Sequence, residues 1–154
     1  MSRPFINKFT SEEQFLTWLR KRLMDGLLAD IIVDGYVNKK TTVTTDSTAG
    51  ALTYTAAMLL GGLILRDPQG DRNDVTPTAA LLAAAIPNVK AGTSFIFMIR
   101  NTAGAAETIT VTAGATGCTL SGTMTIAQNN SKIFLVVFTS TTAYTVYSLG
   151  TLVH

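Results

Sequence analysis

The chain has 154 residues and a mass of 16.4 kDa, enough for one domain, or one domain with an arm, to bury a core without disulfide or metal staples. It is 47% hydrophobic and only 14% charged, a balance that excludes intrinsic disorder and suits a surface largely covered by other subunits. A net charge of +2 is too small for a nucleic-acid footprint, so no direct nucleic-acid contact is expected.

The first stretch with a clear period is residues 11–28, SEEQFLTWLRKRLMDGLL, an expected amphipathic helix. Ser11 with Gln14 spells a capping box, and Glu12 and Glu13 sit in the first turn, where the helix dipole favours anions. Phe15, Leu19, Leu23 and Leu27 form one i, i+4 stripe, widened by Leu16 and Trp18, with Arg20, Lys21 and Arg22 beyond the acids. Such a stripe covers the protein's own core or lies on another protein, and the pattern alone leaves both open. Asp34-Gly35 between Ile31-Ile32-Val33 and Tyr36-Val37 is a hairpin signal. The polar, Thr-rich run from Asn38 to Gly50 reads as an extended arm, with a domain boundary near residue 50.

Residues 51–65, ALTYTAAMLLGGLIL, fit a short helix followed by a strand, or two strands about Gly61-Gly62. RDPQGDRNDVT (66–76) is a polar loop, and Thr76-Pro77 reads as the N-cap and first residue of a short Ala-rich helix, AALLAAAI, ending at Pro87. Beyond residue 92 the pattern turns to strands. TSFIFMIRN (93–101) and IFLVVF (133–138) are apolar on both faces and read as sandwiched; TITVT (108–112) and AYTVYSL (143–149) alternate. Cys118, Leu120, Met124 and Ile126 continue the alternation around Ser121-Gly122. The expected fold is mainly β, a β-sandwich, jelly-roll-like or barrel domain over 51–154, preceded by a helix and arm over 1–50. Residues 75–154 hold only Lys90, Arg100, Glu107 and Lys132 as charges, so exposed strands lack the usual edge lysines, and cover by copies of the same chain is expected.

Catalytic devices are scarce. Cys118 is the sole cysteine and His154, the last residue, the sole histidine, which excludes a disulfide framework and a Cys/His zinc site and leaves any Ser–His arrangement resting on a chain end. Asp67, Asp71 and Asp74 lie among Arg66 and Arg72 and read as turn caps and ion pairs; they miss calcium-loop spacing. Cys118 reads as a buried small hydrophobe, and Gly114 and Gly117 as turn residues without the Lys-Ser/Thr of a phosphate loop. No enzyme activity, cofactor or metal is expected. Ala56–Leu65, the longest apolar stretch, falls short of the roughly 20 residues of a membrane span, and no apolar segment follows Arg3-Pro4, so neither a membrane partner nor a secretory signal is expected.

Two stretches, GGLILRDPQGDRNDVTPTAALLAAAI (61–86) and Gly92 to His154 with FIFMIRNTAGAAETITVTAGATGCTLSGTMTIAQNNSKIFLVVF and YTVYSLGTLVH, resemble head decoration (cement) proteins of short-tailed, podovirus-like bacteriophages. The resemblance covers residues 51–154 and leaves 1–50 unassigned. It implies a structural virion protein on the outer surface of an icosahedral capsid, bound to the major capsid protein as a homotrimer or dimer, without catalytic residues. On that reading Phe15, Trp18, Leu19, Arg20, Lys21, Arg22 and Leu23 would dock on the shell. Leu81, Leu82, Phe95, Phe97, Phe134 and Phe138 would form the oligomer interface, the trimer being preferred because both-faced apolar strands and an Ala-rich helix suit a shared axis. A head or tail-fibre module binding host glycan through loops 101–107 and 112–118 is the alternative; the sole Trp lies in the helix rather than in such a loop.

Overall fold

The computed structural model describes residues 11–24 and 40–154, with Arg20 to Met24 described by backbone alone. The chain divides into two compact units, Met1–Lys39 and Lys40–His154. In the first, helix α1 (Glu12–Met24) starts at Ser11, whose Oγ accepts a hydrogen bond from the Gln14 amide at 3.2 Å. Phe15 and Trp18 stack at 6.3 Å between ring centroids. The last turn expected for this helix, and the hairpin at Asp34-Gly35, lie outside the described residues.

The second unit begins at Lys40, earlier than the boundary expected near residue 50, because its first strand comes from the Thr-rich run whose composition suggests an arm. Its elements in chain order are β1 (Thr42–Asp46), α2 (Ala56–Gly61), β2 (Gly62–Arg66), β3 (Arg72–Val75), α3 (Ala79–Ala84), β4 (Ser94–Asn101), β5 (Ile109–Thr112), β6 (Cys118–Ser121), β7 (Thr125–Ile126), β8 (Asn130–Ser140) and β9 (Ala143–Val153). Residues 51–65 are thus a helix followed by a strand. Thr55 caps α2, accepting from the Met58 amide at 3.2 Å, and Gly62, at φ 97°, turns the chain directly into β2.

Two sheets form. One has six strands in the order β1-β2-β4-β8-β9-β6 and the other three in the order β3-β5-β7. The fold is mainly β and sandwich-like, as expected. Its pairing is mixed: β1/β2, β2/β4, β3/β5 and β6/β9 run parallel, while β4/β8, β8/β9 and β5/β7 run antiparallel. Among the described residues, β1 and β6 are the outer strands of the six-stranded sheet. The alternation from Cys118 to Ile126 is split between the sheets, β6 joining the larger and β7 the smaller.

The core lies on one face of the large sheet. Ile64 of β2, Phe97 and Ile99 of β4, Phe134, Val136 and Phe138 of β8, and Tyr144 and Val146 of β9 pack with Ile109 and Val111 of β5, Ile126 of β7, Leu59 of α2 and Leu82 of α3. Phe97 and Phe134, register partners, stack at 5.0 Å between centroids.

The helix α3 is capped by Thr78, not by Thr76. Thr76 is buried instead; its hydroxyl accepts from the Gly114 amide at 2.8 Å and donates to Cys118 Sγ at 3.1 Å. Gly114 is required there, because a Cβ would stand 2.5 Å from the Thr76 carbonyl oxygen.

Candidate interaction surface

Residues 66–76, expected as a polar loop, instead include the end of β2 and the whole of β3, which pairs with β5; their polar residues are the first place to look for chemistry, and they are built into the fold. Arg66 follows Ile64 on the inner face of β2, and its guanidinium is fully buried. Nε donates to Asp74 Oδ2 at 3.1 Å, and Nη1 to Asp46 Oδ1 at 2.8 Å and to the carbonyls of Thr48 and Asp67 at 2.7 and 2.8 Å. Nη2 donates to the Gly50 carbonyl. Asp74 also accepts from the Leu52 amide at 2.8 Å and the Tyr54 hydroxyl at 2.9 Å. Burial, reinforced by the Asp74 carboxylate, pushes the Tyr54 phenol well above its ordinary range. The guanidinium and both carboxylates thus hold one another and the 46–54 segment, which leaves them structural.

The other two acids act as expected of turn residues. Asp67 Oδ1 accepts from the Gln69 amide, and Asp71 Oδ1 accepts from both the amide and the hydroxyl of Thr108 at 2.8 Å, which lowers the Asp71 carboxyl. Cys118 is only partly buried, less enclosed than its alternating context suggests. His154 Nε2 lies 2.9 Å from Ser131 Oγ, but Ser131 is buried, and among the described residues no carboxylate hydrogen-bonds the ring to orient it. Lys132, inward on β8, donates to the Thr123 carbonyl at 2.8 Å, and burial holds its ammonium below the usual range. Among the described residues, no group of three or more His, Cys, Asp or Glu is placed to hold a metal ion.

Of the docking residues named from sequence, Phe15 is exposed and Trp18 and Leu19 partly so, beside an exposed Leu16; the side chains of Arg20, Lys21, Arg22 and Leu23 lie outside the described residues. The oligomer-interface expectation needs correction. Leu82, Phe97, Phe134 and Phe138 are at most 1% exposed and lie in the subunit's own core, so they offer no surface to a copy. Phe95 is partly buried against that core, and only Leu81 of α3 stands out, at 63% exposure.

The surface that sequence reasoning missed is the other face of the same strands. Because side chains alternate, the inward set leaves an outward set in fixed rows across the sheet. Val43, Leu63, Met98 and Ile133 stand side by side on β1, β2, β4 and β8. Ile96, Leu135 and Tyr147 form the next row on β4, β8 and β9, ending at Ser121 on β6. Leu65 stands beside Arg100, and Val137 lies between Ser94 and Thr145. Val43, Ile96 and Tyr147 are 53%, 54% and 39% exposed, so strands expected to be sandwiched are covered on one side only by the described residues. The signal was present in β4 and β8, whose apolar residues fall on both faces of the strand.

Compared with known protein families, curated proteins and solved structures, the chain matches none of them. Among the described residues, no helix is long and apolar enough to cross a membrane.

Proposed function

We propose that this chain is a structural virion protein that binds the outer surface of an icosahedral phage capsid and cements neighbouring capsomers against internal pressure. The observation that carries the reading is the neutral apolar outer face of the six-stranded sheet, a surface of the kind that is buried when subunits assemble, which leaves contact with the shell to α1. The two stretches resembling decoration proteins supply most of this unit, 61–86 running through β2, β3 and α3 and 92–154 through β4 to β9. The exposed Phe15 and Leu16 of α1 add a second apolar surface, assigned here to the major capsid protein.

The mechanism is mass action. A subunit that binds only the assembled, expanded shell stabilises it by RT ln(1 + [L]/Kd), and copies spanning several capsomers add avidity. No residue is assigned a catalytic role, and no cofactor is required. The test is co-sedimentation of the purified full chain with expanded, undecorated shells, followed by imaging. The expected result is saturable binding at a fixed number of copies per capsomer, density on the exterior and a higher shell disruption temperature. A chain that stays in the supernatant and is missing from particle exteriors overturns the proposal.

A further inference from the structure

We infer that the outer face of the six-stranded sheet is where two copies of this chain pack on each other about a two-fold axis. The inference concerns a partner for that face and stands whether or not the capsid reading holds.

Five strands, β1, β2, β4, β8 and β9, carry the apolar rows. At about 4.8 Å per strand and about 3.3 Å per residue, with β4 eight residues long, the face projects roughly 600 Å², and its side-chain relief adds accessible area. A standard interface takes about 800 Å² from each partner, so one sheet face suffices without a second patch.

Ile96, Met98, Ile133 and Leu135 occupy the centre, and Thr45, Ser94, Thr119, Ser121 and Thr145 stand around them on the same face. An apolar centre inside a hydroxyl rim is the anatomy of a specific interface; a face destined for solvent carries its polar groups throughout.

Arg100 is the one charge among these outward positions, and it stands at the edge of the apolar centre, beside Leu65 and Ser131. A partner recognised by charge finds little to read. A copy of the same face meets it neutral to neutral, with the two arginines free to stay in water, and two sheets stack face to face at about 10 Å with interdigitated side chains. A single face pairs with itself about a two-fold. A three-fold needs a second, complementary surface, and the residues that suggested one are spent in the core.

Sedimentation equilibrium on the full chain at micromolar concentration tests this, with Ile96→Lys and Leu135→Lys as face variants and Leu81→Lys as an off-face control. The expected result is a dimer for wild type and control, with dimer dissociation constants raised at least about thirty-fold in the face variants. A wild-type monomer or trimer overturns the inference, as does a face variant that remains folded and fully dimeric. Should the variants fail to fold, hydroxyl-radical footprinting of the wild-type chain decides: Met98 and Tyr147 must gain reactivity on dilution through the dissociation range. Reactivity independent of concentration overturns the inference.

Discussion

Among the described residues Arg66 heads the fully enclosed side chains in size, and its placement follows from strand alternation: Ile64 points inward, so the residue two positions on does as well. A buried guanidinium is tolerated only when its donors are met, and this one has two carboxylates and three carbonyls around it. Truncating one partner is therefore far costlier than the pair's net contribution. Asp74→Ala leaves Arg66 Nε, the Leu52 amide and the Tyr54 hydroxyl without their acceptor, and we expect it to lower unfolding free energy by about 3–5 kcal/mol, read by urea denaturation of the otherwise unchanged chain. A loss below about 1 kcal/mol means that water replaces the carboxylate and the network is not closed. The charges of RDPQGDRND were legible as ion pairs and caps, but not which would be interior. That depends on β3 lying beside β5 and carrying Asp74 beneath the large sheet, a long-range placement with no local signature.

Elements were legible where a period or a turn signal was strong. The start of α1, the strands β4, β5, β8 and β9, and the Ala-rich helix all fall where the residues place them. The misreadings share a cause. β1 has one apolar residue larger than Ala, Val43, and is a strand because it pairs along its whole length with β2 and lies against α2; a Cβ on Gly61 would stand 2.9 Å from the Thr42 carbonyl oxygen. Thr76 resembled a helix cap because Pro77 follows it, yet burial gives its hydroxyl a better use at Gly114. These two threonines make a prediction. Thr78→Ala removes an N-cap whose bond to the Leu81 amide is long, 3.4 Å, and costs about 0.5–1 kcal/mol. Thr76→Val strands the buried Gly114 amide and costs about 1–3 kcal/mol. Thermal denaturation of the two variants side by side checks the order; the reverse order removes Thr76 from the core network.

At the scale of the whole molecule, the compact unit Lys40–His154 holds the entire described core, so a fragment starting at Lys40 should keep the circular dichroism spectrum and melting temperature of this unit. With the outer sheet face intact it should also remain a dimer, and on the proposed function it should lose its affinity for expanded shells, because α1 is gone. Shell binding as tight as that of the full chain removes the docking role of the helix. The fold class could be anticipated from the sequence because period and punctuation are local properties; the exposed sheet face could not, because one covered side and two covered sides yield the same apolar strand until the other elements have taken their places. The join at Lys40 has a mechanical side. The chain enters the sheet at the start of β1, whose five registered pairs with β2 run parallel, and the far end is gripped by Arg66 through Asp46, Thr48 and Gly50. A load applied to β1 along its own axis would be borne in shear by all those ladder rungs together, with an ionic rivet behind the last one, so this strand is suited to hold instead of unzipping.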